Sequence, residues 1–194
     1  MTQTDFVTDD LYFAGRTRRY HTWPTIQTQT VAEHSWQMAC IYAAIFGDLG
    51  GPVERYIRLH DAGELGVGDI PFPVKAENPD LKSIVERLER REMDKLKLAQ
   101  LPPLHPNLIA RIKVCDLLEI MQFGMVERLM GNMYAIAIVM RTRQAALKLA
   151  ATLTRDDYNA VNEFIERADA RHEDVLYQMN RRTGAVGYNL KESA

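Results

Sequence analysis

The chain has 194 residues, of which 46% are hydrophobic, and its 24 Lys and Arg residues nearly balance its 26 Asp and Glu residues. This length suits a single domain with its own core, and the formal net charge of −2 disfavours binding to a nucleic acid polymer. Two cysteines without a CxxC spacing argue against a disulfide framework or a zinc finger, and the longest apolar runs are too short to span a membrane. The polar, acidic start is unlike a signal peptide. We therefore expect a cytoplasmic protein with one domain over residues 1–180 and a polar tail over residues 181–194.

Apolar residues recur every three or four positions along nearly the whole chain, and no segment alternates with period two. This pattern predicts an all-α fold of about six to eight helices. Asn78-Pro79 and Thr154 are typical of helix starts. The predicted helices cover residues 5–15, 30–47, 53–65, 79–98, 106–130, 132–151 and 155–178.

The segment from Gly66 to Val74 follows the third predicted helix and contains two glycines and two prolines in nine residues. A helix cannot continue through such a segment, so we expect an ordered or mobile loop there. Asp69 lies within this loop, and Lys75 follows it directly. The loop therefore places a carboxylate and a cation just beyond the third helix.

Ionisable residues interrupt the apolar faces of three predicted helices. These residues are His34 on the second helix, His60, Asp61 and Glu64 on the third, and Asp116 on the fifth. A buried, ionised carboxylate without a partner is costly, so these side chains should either satisfy one another or share a cation. Imidazole and carboxylate groups suit divalent transition metals and leave coordination positions open for water. We therefore favour a catalytic metal site over a set of hydrogen-bonded core residues.

Other candidate groups surround this set. Glu64 follows His60 by one helical turn and can move protons, and Asp69 can orient a water molecule. Lys113 lies three residues before Asp116, where it can form an ion pair or hold a phosphate. The basic cluster at residues 16–19 and the segment Tyr20–Pro24 after it can supply a phosphate grip and an aromatic platform, although a solvated helix end explains the cluster equally well.

The sequence resembles the HD-domain metal-dependent phosphohydrolases, whose signature is a His, a His-Asp pair and a distant Asp on separate helices. It is most similar to the bacterial 5′-deoxynucleotidases and the related small phage dATP triphosphohydrolases. The matching strings are Val31-Ala-Glu-His-Ser35, His60-Asp-Ala-Gly-Glu64, Gly68-Asp-Ile-Pro71 and Pro73-Val-Lys75, with Arg19, Lys113 and Asp116 at matching places. The resemblance implies an HD-domain helical bundle and a nucleotide substrate.

The resemblance also implies roles for individual residues. It assigns a divalent metal ion (Co²⁺, Mn²⁺, Zn²⁺ or Mg²⁺) to four ligands, which are His34, His60, Asp61 and Asp116. It assigns catalysis to Glu64 and Asp69, and phosphate binding to Arg19, Lys75 and Lys113. We expect the base and sugar to lie against Tyr20, Trp23, Phe72 and Pro73. A homo-oligomer, either a dimer or a hexamer, is expected in the bacterial cytoplasm, or in the host cytoplasm if a phage encodes the chain.

One departure from the family concerns the residue after the phosphate-binding Arg, which is usually Trp in the bacterial enzymes and is Tyr20 here, with Trp23 nearby. The strictness of deoxyribose selection therefore stays open. The segment Arg19–Pro24 is more similar to the phage subgroup, and on this resemblance we expect hydrolysis of dATP or another dNTP to deoxynucleoside and triphosphate. The alternative is hydrolysis of a dNMP to deoxynucleoside and phosphate.

A further alternative is a nucleotide-binding or helical interaction module without catalysis. Spare carboxylates near an anionic phosphate argue against pure binding. A methionine-rich stretch, Met121 to Met140, can pack in the core or form an interface, and we favour the core. The remaining histidines, His21, His105 and His172, are expected to have no role, with His172 in a charged surface stretch.

Overall fold

The computed structural model describes residues 11–47, 49–96 and 101–183 of the chain. Helix α1 includes residues 11–15. Strand β1 (Arg18–Arg19) pairs antiparallel with β2 (Gln29–Thr30), with Arg19 opposite Gln29. The other elements are α2 (Val31–Phe46), α3 (Gly51–Leu59), a 3-10 helix (Ala62–Gly66), α4 (Phe72–Glu77), α5 (Pro79–Lys95), α6 (Pro106–Leu129), α7 (Ala135–Ala150) and α8 (Arg155–Thr183). The predicted all-α fold is confirmed.

Helix α6 lies at the centre of the fold and packs against α2, α7 and α8. Its core-facing side chains include Ile112, Leu118 and Met121, which are buried together with Met38 of α2 and Ile57 of α3. Burial of such side chains is the main favourable contribution to folding. The packing of α2 and α3 on α6 brings together the three helices on which ionisable residues interrupt the apolar face.

The start of α2 is determined by its own sequence. Thr30 Oγ1 accepts a hydrogen bond from the backbone N–H of Glu33 at 3.3 Å, and the Glu33 carboxylate accepts one from the backbone N–H of Thr30 at 2.7 Å. This reciprocal capping box satisfies two amide groups that the helix itself leaves unpaired. It also places His34 in the first turn of α2, immediately after the two-stranded sheet.

Two predicted helix starts have different outcomes. Thr154 caps α8, because its Oγ1 accepts a hydrogen bond from the backbone N–H of Asp157 at 3.2 Å. Asn78 precedes Pro79 at the start of α5, but its side chain donates to the carbonyl of Val74 at 3.0 Å and does not cap the helix. The amide is already engaged with the preceding short helix, so the predicted Asn78 cap is wrong.

The third predicted helix, residues 53–65, is wrong as a single helix. Helix α3 ends at Leu59, and a 3-10 helix begins at Ala62. A Cβ atom at Gly63 would lie 2.6 Å from the carbonyl oxygen of Glu89, so the 3-10 helix approaches the backbone of α5 more closely than any other residue type allows. The break therefore leaves His60 and Asp61 at a corner between two helices.

Other boundaries also differ from the prediction. The loop expected up to Val74 ends earlier, because α4 begins at Phe72, with proline accommodated in its first turn. Helix α8 continues five residues beyond position 178, as far as Thr183. The predictions for residues 5–10, 97–98 and 184–194 lie outside the described residues.

The methionine-rich stretch divides between the core and the surface. Met121 and Met125 are buried, whereas Met133, Tyr134 and Met140 are largely exposed. His172 is buried on α8, so its predicted surface position is wrong.

Among the helices in the described ranges, none has the length and apolar character needed to cross a membrane.

Candidate active site

Three predicted ligands converge from separate elements: His34 from α2, His60 from the end of α3 and Asp116 from α6. One ligand atom of each lies within 4.8 Å of the others. Asp61 adjoins this group, with Oδ1 3.2 Å from His60 Nε2 and Oδ2 3.7 Å from His34 Nε2. Asp116 Oδ1 lies 3.3 Å from His34 Nε2. The structure thus brings all four predicted ligands together.

Both histidines present Nε2 to this centre, because Nδ1 is engaged elsewhere. His34 Nδ1 lies 2.5 Å from Glu119 Oε2, and His60 Nδ1 lies 2.8 Å from the carbonyl oxygen of Ile57. A carbonyl and an ionised carboxylate accept hydrogen bonds, so each Nδ1 donates. Both Nε2 atoms are buried and lack a hydrogen-bond partner within the described ranges. Two free imidazole nitrogens beside two carboxylates fit a divalent transition metal.

The electrostatics agree with a cation site. Burial alone would raise the pKa of Asp61, but His60 and Arg19 lower it below its ordinary value. Burial likewise opposes ionisation of Asp116, but the contact with His34 lowers its pKa more strongly. Burial and Arg19 lower the pKa of His34, whereas Asp116 and Glu119 raise it to a final value of about 9. Without a metal, a proton on His34 therefore supplies positive charge, which a metal ion would displace.

Arg19 is a buried cation next to the predicted ligands. Its side chain is 8% exposed, and Nη1 donates to Asp61 Oδ2 at 2.7 Å. Burial lowers its pKa, but Asp61 and the other nearby acids raise it far above the ordinary value, so the charge is permanent. Its Nε has no hydrogen-bond partner among the residues described. Arg19 therefore has a free donor for an anionic ligand.

Glu64 lies in the 3-10 helix and is 5% exposed. Its Oε2 has no hydrogen-bond partner in the described part of the chain. Burial, followed by repulsion from Asp61, raises the pKa of Glu64 to about 8. In the metal-free protein this carboxyl group therefore holds a proton at neutral pH.

A Glu64→Gln variant should show this protonation as a change in stability. The folded-state pKa of about 8 exceeds the ordinary value of 4.5, so the wild-type chain loses stability as the pH rises through this interval. Glutamine cannot ionise, and the metal-free variant should gain up to about 4 kcal/mol relative to wild type between pH 5 and pH 8.5. Urea unfolding at several pH values in EDTA measures this difference. The exposed Glu163→Gln variant serves as the control, and a constant difference between Glu64→Gln and wild type would contradict the raised pKa.

Tyr20 and Asp69 join the β1–β2 segment to the loop after the 3-10 helix. The backbone N–H of Tyr20 donates to Asp69 Oδ2 at 3.0 Å. Tyr20 has φ of 58°, a left-handed conformation that is uncommon for a bulky residue. Its ring stacks on Phe123 of α6, with centroids 4.6 Å apart and planes 9° from parallel. Asp69 therefore positions the predicted aromatic wall, to which the structure adds Phe123.

Among the described residues, no hydrogen bond or ion pair connects Lys75, Lys113 or Trp23 to the four predicted ligands. Lys75 is partly buried, with Nζ 4.0 Å from Glu89 Oε1. Lys113 is exposed and forms no ion pair with any described residue, so the ion pair suggested with Asp116 is absent there. Trp23 is partly buried, and its backbone N–H donates to the Tyr20 carbonyl at 3.0 Å. The side chains of Phe72 and Pro73 lie outside the described residues.

Three residues of α6 that contact the candidate site were not predicted from the sequence. They are Glu119, Phe123 and Glu127. Glu127 accepts hydrogen bonds from the backbone N–H groups of Ile26 and Gln27, each at 2.7 Å, and from Asn132 Nδ2 at 2.7 Å. It therefore anchors the segment that follows Tyr20. The available signal was their spacing from Asp116, since positions three, seven and eleven residues later fall on the same side of a helix.

The fold matches that of a cyanophage S-2L HD phosphohydrolase, DatZ, whose structure contains dA and one catalytic Zn²⁺ ion. The TM-score is 0.68 at 19% sequence identity, and the match covers 86% of this chain and 96% of that one. At this level of identity the match shows a shared fold.

Curated relatives match a shorter part of the chain. A 5′-deoxynucleotidase of Photorhabdus laumondii is 35% identical over 100 residues, which is 45% of this chain and 50% of the relative. A 5′-deoxynucleotidase of Yersinia pestis is 32% identical over 96 residues, which is 42% of this chain and 48% of the relative. The chain thus spans about half the length of the curated relatives it matches.

A family model described as 5′-deoxynucleotidase YfbR-like matches residues 16–117. This range begins just before Arg19 and ends just after Asp116, so it includes every predicted site residue. It covers more than half of the chain, and the resemblance stated from the sequence is confirmed. The chain belongs to the YfbR-like 5′-deoxynucleotidase family.

Proposed function

We propose that this chain is a metal-dependent phosphohydrolase that releases the 5′-phosphate group of a deoxynucleotide. The observation that carries the proposal is the pair of unpartnered Nε2 atoms of His34 and His60, which face two carboxylates beside the buried Arg19. The names of the curated relatives and the dA in the similar phage structure support a deoxynucleotide.

His34, His60, Asp61 and Asp116 would hold the metal ion. When bound, a divalent cation supplies Lewis acidity toward the phosphate and makes a coordinated water more acidic. The catalytic Zn²⁺ of the structurally similar phage protein supports zinc as the first ion to test, followed by Co²⁺, Mn²⁺ and Mg²⁺.

The chain's own residues would perform the remaining steps. Arg19 binds the phosphate through donors that Asp61 does not use, and its fixed charge stabilises the negative charge of the transition state. Water attacks phosphorus, the bond from phosphorus to the 5′-oxygen breaks, and the leaving oxygen takes up a proton. Glu64 is the proposed proton carrier, because it is buried beside Asp61 and has a pKa of about 8 in the metal-free protein.

A deoxynucleoside monophosphate is the first candidate substrate. The names of the curated relatives support it, and so does the buried cation Arg19, which lies 2.7 Å from Asp61, a proposed metal ligand. A triphosphate, expected above from the segment Arg19–Pro24, is the second candidate. The partly buried Lys75 and the exposed Lys113 favour it, since both have room to meet outer phosphates.

A product assay distinguishes the candidates. The EDTA-treated chain is supplied with Zn²⁺, Co²⁺, Mn²⁺ or Mg²⁺ and incubated with each dNMP, with each dNTP and with AMP as the ribose control. We expect deoxynucleoside and orthophosphate from a dNMP, with no turnover in EDTA. Deoxynucleoside and triphosphate from a dNTP would support the second candidate. No product with any metal and nucleotide would overturn the proposed function and favour a binding or interaction module.

The expected homo-oligomer and cytoplasmic location stay predictions. Met133, Tyr134 and Met140 are 64%, 73% and 66% exposed at or near α7. Large apolar side chains that are exposed so near one another along the chain support contact with a second copy of the chain.

A further inference from the structure

Glu119 is a buried carboxylate outside the predicted ligand set. It lies on α6, three residues after Asp116, and is 1% exposed. One of its oxygens, Oε2, lies 2.5 Å from His34 Nδ1, and the other accepts a hydrogen bond from Gln29 Nε2 at 2.7 Å. Burial of a carboxylate is costly unless both oxygens have partners, so the two contacts with His34 and Gln29 are what allow a carboxylate at this position.

The first contact determines which nitrogen of His34 is free. A carboxylate oxygen accepts this hydrogen bond, so His34 keeps a proton on Nδ1, and once a metal displaces the second proton the lone pair of Nε2 faces Asp61 and Asp116. His60 achieves the same orientation with a neutral backbone carbonyl. A carboxylate partner also makes the imidazole a stronger ligand than a carbonyl partner does. The two histidines are therefore unequal, and His34 depends on Glu119.

The second contact connects the same carboxylate to the strand opposite Arg19. Gln29 is buried on β2 and is paired with Arg19 of β1 in the two-stranded sheet. Gln29 Nε2 donates both to Glu119 and to Gln37 Oε1, the latter at 3.1 Å. A displacement of Glu119 would consequently move a predicted metal ligand on one side and the phosphate-binding strand on the other.

We propose that Glu119 is the positioning residue that holds His34 in its metal-binding tautomer and fixes the distance between the metal ligands and Arg19. The inference rests on the proposed metal site. Glu119 acts through His34 and Gln29, and it has no contact with the metal or the substrate in this role.

The first test compares metal affinity in the wild-type chain and a Glu119→Gln variant. Glutamine keeps the size of the side chain but lacks the charge that strengthens the imidazole as a ligand, and its amide can donate as well as accept, so the Kd for Zn²⁺ should rise by about 10- to 100-fold. Titration calorimetry on the EDTA-treated proteins measures this change. The matched control is Asp157→Asn, a buried carboxylate on α8 that is 8% exposed, pairs with Arg111 and contacts neither histidine, and its Kd should equal that of wild type.

The second test observes the hydrogen bond itself. In the zinc-loaded wild type, the Nδ1 proton of His34 should give a strongly downfield NMR resonance that is lost or shifted upfield in Glu119→Gln. If that variant fails to fold, Glu119→Asp keeps the charge on a shorter side chain and should show an intermediate Kd. Wild-type zinc affinity together with an unchanged downfield resonance in Glu119→Gln would overturn the inference.

A Gln29→Ala variant tests the second contact. Its Kd for Zn²⁺ should stay within about threefold of wild type, whereas KM for the nucleotide should rise more than kcat falls. An unchanged KM would remove Gln29 from the proposal. If the wild-type chain binds zinc but hydrolyses no deoxynucleotide, the proposed activity fails while the affinity and NMR tests of Glu119 still stand. If it binds none of the four metals, both proposals fail.

Discussion

An Asp61→Ala variant should lose metal-dependent hydrolysis, with kcat/KM lower by at least about 10³-fold. The Asp61 carboxylate contacts His60 at 3.2 Å, Arg19 at 2.7 Å and His34 at 3.7 Å, so its removal affects two further proposed ligands and the proposed phosphate-binding cation together. The helical circular dichroism spectrum should stay near that of wild type, since the aromatic and aliphatic core around α6 contains no part of this side chain.

The control for Asp61 is Asp94→Ala, which removes an exposed carboxylate on α5. Initial rates are measured with excess metal, so that weaker binding alone does not account for the loss. Wild-type turnover of Asp61→Ala under these conditions would exclude Asp61 as a metal ligand.

An Arg19→Ala variant should lose both activity and stability. Removal of one partner from a buried ion pair leaves the other uncompensated, which typically costs about 3–5 kcal/mol in the free energy of unfolding. We expect kcat/KM to fall by about 10²- to 10³-fold, because the phosphate loses a fixed cation. Arg19→Lys should retain part of the activity, since it keeps the charge without the planar set of donors.

The neighbouring Arg18→Ala variant is the matched control, because Arg18 lies on the same strand but is exposed. Chemical unfolding measured with and without Zn²⁺ adds a second comparison. The stability loss of Arg19→Ala should be smaller with zinc, which would compensate the charge of Asp61. Activity and stability of Arg19→Ala equal to those of Arg18→Ala would contradict the role of Arg19.

Helical periodicity predicted the elements that carry the site. His34 and Asp116 each stand among apolar residues that recur every three or four positions. When such a helix face packs against its neighbours, the polar residue on it points into the interior together with the apolar ones. The structure brings both side chains together with His60 and Asp61. Local sequence rules also predicted the Thr154 cap, because its partner Asp157 lies only three residues later in the chain.

The features that helical periodicity did not predict depend on contacts between distant parts of the chain. Glu119 and Glu127 are charged residues on a long helix, and such residues are usually solvated. They are buried because they meet the segment around Gln29 and Ile26, about 90 to 100 residues earlier in the chain. Two-residue strands carry no alternating pattern that would reveal this pairing. The break after α3 has a similar origin, since the close approach of Gly63 to Glu89 is a tertiary contact.

Helix α6 carries Asp116, Glu119, Phe123 and Glu127 within 12 consecutive residues, a span of about 16 Å along its axis. The proposed metal ligand, the proposed orienting carboxylate, the ring that stacks on Tyr20 and the carboxylate that anchors the Ile26 segment therefore follow one another along a single helix. A tilt or rotation of α6 would displace all four side chains at once, whereas a substitution at Phe123 would change the stacking on Tyr20 and leave the other three side chains in place. Variation at Phe123 would therefore reshape the surface next to Tyr20 without a change in the residues of the proposed metal site.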